Sequence, residues 1–204
     1  MRTKFKQWAV DYLGEHPEII LPKIDVESEY FKKPISLEVG SGKGDFILNF
    51  SSMHLDTNFI AIERVESVAG MMAKKLVDAK AENVLVFPFD ARIAFEQLPE
   101  NYVQAIYLNF VDPWPKKRHA KRRLTYKTFL QQYYRVLKSG GYLFFKSDND
   151  GLYEFTMEEI KESKFTLVSS EPEYMFNESN DAMTEYERKF RDLGQPIHRI
   201  VLKK

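Results

Sequence analysis

Short apolar runs alternate with helically spaced segments along nearly the whole chain, and this alternation limits the possible folds more than any other feature. Ile35–Val39 reads as a strand stopped by Gly40-Ser41-Gly42-Lys43-Gly44, after which Asp45–Ser52 carries helical spacing. Residues 59–63 form a second strand, and from about 65 to 80 the side chains of Val68, Met71, Met72, Lys75 and Leu76 trace one helix face. Residues 84–87, 103–110 and 142–146 supply strands three to five. Helices are expected over 91–98, over 126–137 with Gly140-Gly141 as the stop, and over roughly 152–162. Two late strands, 165–169 and 197–202, flank a polar insert. Parallel strands need crossover helices, so the pattern predicts an α/β fold with a mostly parallel seven-stranded sheet and helices on both faces. With 204 residues, no repeat and no low-complexity linker, a single domain over 1–204 is expected.

In such sheets ligands bind beyond the carboxyl ends of the strands, which directs attention to the residues just past each apolar run. After the first strand, Gly40, Gly42 and Gly44 stand at alternate positions, where the backbone can turn tightly and approach a ligand. The spacing departs from the dinucleotide fingerprint, and no Gly-Lys-Ser or Gly-Lys-Thr follows, so a ligand bound through something other than phosphates fits better. Taken alone the loop is equally an ordinary strand-to-helix turn. Glu63, about 20 residues on, can accept from both hydroxyls of a ribose, and Asp90 can accept from an adenine amino group. Singly, each is as readily a helix cap or a surface acid. Acids in step with successive strand ends together describe a nucleoside pocket.

The fourth strand leads into Asp112-Pro113-Trp114-Pro115, where two prolines fix the backbone and an indole between them could stack on or pack beside a base. Lys116-Lys117-Arg118-His119-Ala120-Lys121-Arg122-Arg123 follows. The whole chain carries 30 basic and 30 acidic residues, so this run is a local concentration of positive potential on a neutral protein. An isolated basic run is usually a solvated face or a localisation signal. Beside a nucleoside pocket it is placed to orient a nucleic acid through its phosphates.

Other chemistries are disfavoured. The chain has no cysteine, which removes disulfides, thiolate nucleophiles and cysteine-ligated metals and suits a reducing compartment. His16, His54, His119 and His198 are dispersed without metal-ligand spacing, so no metal is expected. The first 17 residues carry charges among their apolar positions, unlike a signal peptide, and no run approaches the ~20 apolar residues of a membrane span. A cytoplasmic location and no membrane association are expected.

Four stretches, in order, carry a resemblance to a known family: Glu38-Val39-Gly40-Ser41-Gly42-Lys43-Gly44; Asp112-Pro113-Trp114-Pro115-Lys116-Lys117-Arg118-His119 with Lys121-Arg122-Arg123-Leu124; Ser147-Asp148-Asn149; and Thr184-Glu185-Tyr186-Glu187. The chain resembles bacterial tRNA (guanine-N7-)-methyltransferases of the TrmB type over nearly its whole length. The resemblance implies a Rossmann-like class I methyltransferase fold, S-adenosylmethionine as donor, and guanine 46 in the variable loop of tRNA as acceptor. It further implies that Glu38, Gly40, Gly42, Gly44, Glu63, Asp90 and Asp112 line the cofactor pocket, with Asp112 as the catalytic carboxylate. Lys116, Asp148, Thr184, Glu185, Tyr186 and Glu187 would hold the substrate, and Arg118, His119, Ala120, Lys121, Arg122 and Arg123 would meet the RNA. Ser147 stands where a threonine is more familiar, and Val111 precedes the aspartate where a smaller or more rigid residue is often found. Similar proteins occur as monomers and as homodimers, and both remain open here.

Overall fold

Parallel strands covered by helices on both faces should be buried throughout, and the first two strands have that character even though Ser36, Glu38 and Asn58 are polar. In a computed structural model, which describes residues 4–204, all five residues of β1 (Ile35–Val39) and of β2 (Asn58–Ile62) are buried. β3 (Val84–Phe87), β4 (Val103–Asn109), β5 (Leu137–Ser147), β6 (Thr166–Glu171) and β7 (His198–Lys203) complete a seven-stranded, mostly parallel sheet in the order β3-β2-β1-β4-β5-β7-β6. The chain groups into two compact units: residues 4–99 with Ala182–Thr184, and Glu100–Asp181 with Glu185–Lys204.

In the first unit, β1 lies parallel to β2 and β2 parallel to β3, in a register that sets Val39 opposite Ile62 and Ile62 opposite Phe87. The three strands therefore end level, and the loops that follow them start side by side. α2 (Asp45–Ser52), α3 (Glu66–Asp78) and α4 (Ala91–Gln97) follow the three strands in turn. Phe46, Phe59, Met72, Phe87 and Phe95 are almost wholly buried, each such side chain contributing about 1.5–3 kcal/mol relative to exposure.

An N-terminal helix, α1 (Gln7–Glu15), is an addition to the expected pattern. It crosses α3 so closely that a Cβ on Gly70 would lie 1.7 Å from the Ala9 carbonyl oxygen. The segment after it joins the β3 edge, where the Leu21 N–H donates to the Val86 carbonyl at 2.8 Å.

In the second unit, β4 and β5 are parallel, with Asn109 opposite Lys146. β7 runs antiparallel to both β5 and β6, between them. α5 (Lys127–Val136) and α6 (Asp150–Lys161) precede and follow β5. α5 ends four residues before Gly140, and β5 begins at once at Leu137. The glycine pair thus stops no helix. Gly140 sits at φ +77°, where the β4–β5 register shifts between Val103 and Ala105. A Cβ on Gly141 would come within 2.9 Å of the Gln104 carbonyl oxygen, so the pair serves a bulge and a close strand approach. The polar insert contains a further unexpected helix, α7 (Glu185–Asp192).

Candidate active site

The glycine loop leaves β1 with left-handed backbone at Gly40, Gly42 and Gly44, at φ +79°, +55° and +80°. At Gly44 a Cβ would meet Met72 Cγ at 2.6 Å, so this glycine is required by the close approach of α3. A Cβ on Gly42 would meet nothing within 4 Å, which leaves the loop's outer side open to a ligand. The Glu63 carboxylate braces the loop: Gly42 N–H donates to Oε2 at 3.2 Å and Val65 N–H to Oε1 at 2.9 Å. Glu63 thus fixes the turn that carries the glycines. Glu38, one residue before the end of β1, is buried.

Asp90 combines two roles. Its Oδ1 accepts from the Arg92 N–H at 3.0 Å and caps α4, and the Arg92 guanidinium contacts both oxygens at 2.8 Å. The hydrogen bonds from Arg92 hold its carboxyl below the usual aspartate range despite partial burial. The Arg92 side chain is largely exposed, and each carboxylate oxygen of Asp90 can accept more than one hydrogen bond. Glu38, Glu63 and Asp90 thus sit at three level strand ends around an open glycine loop. A set of carboxylate acceptors suits a cationic nucleoside with ribose hydroxyls and an adenine amino group to donate, and the space beside Gly42 is open.

The loop after β4 is strained. Phe110 and Trp114 have φ +52° and +42°, conformations that bulky side chains rarely adopt and that concentrate at functional sites. Between them Val111 is buried and Asp112 is exposed. The basic run forms a short 3-10 helix over Lys117–Arg122, and its members divide by what they touch. Arg123 donates from Nη2 to the Trp114 carbonyl at 3.1 Å, and its guanidinium carbon lies 4.2 Å from the Phe155 ring centroid. Arg122 stands 4.9 Å over the indole of Trp114, and His119 meets that indole edge-on at 5.7 Å. Lys116, Lys117, Arg118 and Lys121 are exposed, and Ala120 is half-buried. The expected RNA-facing stretch therefore splits into exposed cations and a brace for the Trp114 loop.

At the end of β5, Ser147 is buried and its Oγ accepts from the Asn149 N–H at 3.1 Å, a bond that the more familiar threonine would make equally. Asn149 caps α6 through the Leu152 N–H at 2.8 Å. Asp148 is half-buried, and burial raises its carboxyl above the ordinary value.

Glu187, which the resemblance assigns to substrate binding, is fully buried, with Oε2 held by Lys146 Nζ at 2.8 Å and Oε1 by Arg191 at 2.8 Å. Lys146, itself buried, also contacts both oxygens of Asp181, at 2.9 and 3.1 Å. Glu187 is thus part of an internal charge cluster. Its neighbours Glu185 and Tyr186 are exposed, and Thr184 is half-buried. Sequence reasoning does not single out Lys146, Asp181 or Arg191, although a lysine inside an apolar strand is an available signal. Among the described residues no group of three or more His, Asp or Glu side chains could hold a metal ion, and no helix is long and apolar enough to cross a membrane.

Residues 32–200 match the family model described as "Putative methyltransferase". The chain is 42% identical to a tRNA (guanine-N(7)-)-methyltransferase of Lactobacillus gasseri, covering 97% of each chain. It is 43% identical to the protein of the same name from an Exiguobacterium species, covering 98% of this chain and 96% of that one. Among solved structures, a SAM-dependent methyltransferase from Aquifex aeolicus superposes with a TM-score of 0.60 at 17% identity, over 98% of this chain and 99% of the other. At that identity the likeness speaks for the fold alone.

Proposed function

The chain belongs to the tRNA (guanine-N(7)-)-methyltransferase family, and from that premise we propose that it methylates N7 of guanine 46 in the variable loop of tRNA. The observation that carries this reading is the level register of β1, β2 and β3, which brings Glu38, Glu63 and Asp90 to one edge beside an open glycine loop. S-adenosylmethionine supplies the electrophilic methyl group. Glu63 and Asp90 would hold its ribose and adenine, and Gly40, Gly42 and Gly44 would allow its close approach to the backbone. The two compact units act as one methyltransferase domain, a reading supported by alignment of the relatives over nearly the whole chain. Its tRNA substrate argues for action in the cytoplasm.

Guanine N7 carries a free lone pair at neutral pH, so no general base is required. The protein's task is alignment, and correct positioning of two reactants can contribute about 7–11 kcal/mol. As the methyl transfers, positive charge develops on the purine, and the exposed Asp112 carboxylate would stabilise it electrostatically. The strained Phe110 and Trp114 backbone on either side fixes where that carboxylate stands. Asp148 would accept from the guanine N1 and amino hydrogens, and Lys116, Thr184, Glu185 and Tyr186 would complete the hold on the base. Glu187 acts from behind them, as part of the charge cluster that positions its segment. Arg118, His119 and Lys121 would meet the phosphates, with Arg122 and Arg123 serving also to brace the loop.

The test is to incubate the protein with unmodified tRNA and isotopically labelled donor, digest the RNA and identify the labelled nucleoside by mass. 7-Methylguanosine from the variable loop is expected. Label in another nucleoside, or in none, would overturn the assignment.

A further inference from the structure

Lys146 is a buried cation at the end of β5, two residues before Asp148, and its contacts lie far away in sequence. Its Nζ reaches Asp181 at 2.9 Å and Glu187 at 2.8 Å, residues 35 and 41 positions further along the chain. These two carboxylates bracket, in sequence, the residues Thr184, Glu185 and Tyr186. Further contacts secure the same two carboxylates: the Tyr174 hydroxyl donates to Asp181 at 3.0 Å, and Arg191 contacts Glu187 through Nε and Nη2 at 3.1 and 2.8 Å. Asp181 and Glu187 balance Lys146 and Arg191 in charge. Burying Lys146 and Glu187, with Asp181 and Arg191 partly buried against them, is a costly way to add stability, since apolar residues of similar volume often do as well or better. What a buried ionic cluster supplies that apolar packing lacks is directional geometry: each charge accepts only partners placed to satisfy it.

We infer that Lys146 is a positioning residue for the methyl-transfer reaction, holding Asp181 and Glu187 and through Glu187 fixing Glu185 and Tyr186 relative to Asp148 at the end of β5. The inference rests on the proposed function, because it takes those residues to hold the acceptor base. It explains why a fully buried Glu187 belongs to a stretch otherwise suited to touching substrate.

The experiment compares the parent with Lys146→Met/Asp181→Asn and with Lys146→Arg. The double variant removes one cation and one anion together and leaves Glu187 its charge partner, Arg191, on Oε1. The single variant keeps the charge and changes the shape of the donor. Melting temperature, donor affinity by calorimetry, and kcat and KM for tRNA are measured for each. Displacing a positioning group by about 1 Å costs on the order of 100-fold, so kcat/KM for tRNA should fall at least roughly tenfold, with donor Kd within about twofold of the parent. A folded double variant with parental kcat/KM would overturn the inference, as would parental kcat/KM in Lys146→Arg should the double variant fail to fold. Loss of donor and tRNA affinity together would also overturn it, since that is the mark of a general structural role. A parent protein that leaves tRNA unmethylated would instead refute the proposed function.

Discussion

The division of the basic run into exposed cations and a brace can be tested by salt titration. Arg118 and Lys121 are exposed, whereas Arg123 is committed to the Trp114 carbonyl and the Phe155 ring. Removing one cation from a phosphate lowers the slope of log K against log salt by about 0.7 on single strands and about 0.9 on a duplex. Arg118→Gln/Lys121→Gln should therefore flatten the slope by roughly 1.4–1.8. Between about 50 and 200 mM salt, a roughly fourfold change, the parent should lose about tenfold more affinity for tRNA than the double variant does. Arg123→Gln should behave oppositely: the slope stays near the parent's, while turnover falls because the loop that carries Asp112 is no longer braced. Binding isotherms of labelled tRNA at several salt concentrations, with single-turnover rates at saturating donor, measure both. A parental slope in the double variant would place RNA elsewhere on the surface. A slope flattened by Arg123→Gln alone, with turnover intact, would make that arginine a phosphate ligand and refute the division.

Two further outcomes follow from the site. Asp112→Ala should lower turnover on the order of 100-fold, the scale of removing one electrostatic partner from developing charge, with tRNA affinity little changed; equal activity of purified mutant and parent would refute the catalytic role. Asp148→Asn should raise the melting temperature at neutral pH, because burial raises the carboxyl of Asp148 and its ionised form is held at a cost to stability. A group raised in the folded state contributes its full stability below its unfolded value, near 3.8, and loses it as pH rises through the folded value. The advantage of the asparagine should therefore vanish below about pH 4. A variant less stable than the parent at neutral pH would contradict that sign.

The strands of the sheet are legible in the sequence to within a residue or two at most ends, because short continuous apolar runs such as Val84–Phe87 have few other uses. Their ends also point to the acids. What escapes is set by long-range contact. α1 packs on α3 through the close fit of Ala9 against Gly70, a contact of small residues that leaves little trace in periodicity. Gly140-Gly141 reads as a helix stop, since glycine pairs do end helices, but the β4–β5 register shift claims them. The placement of β7 between β5 and β6 depends on antiparallel pairing that no local pattern encodes. At the site the same limit applies. The contact of Glu187 with Lys146, 41 residues away, and the hydrogen bond of Arg123 to the Trp114 carbonyl have no local signature in the stretches that carry them.

Whether the methyl acceptor is N7 of guanine 46 can be tested at a single atom. A tRNA carrying 7-deazaguanine at that position keeps the base's N1 and amino hydrogens and its stacking face but has carbon in place of the nucleophilic nitrogen. Such an RNA should bind with an affinity close to that of the unmodified tRNA and take up no methyl group from labelled donor. Methylation of the deaza-substituted tRNA at the parental rate would contradict the account.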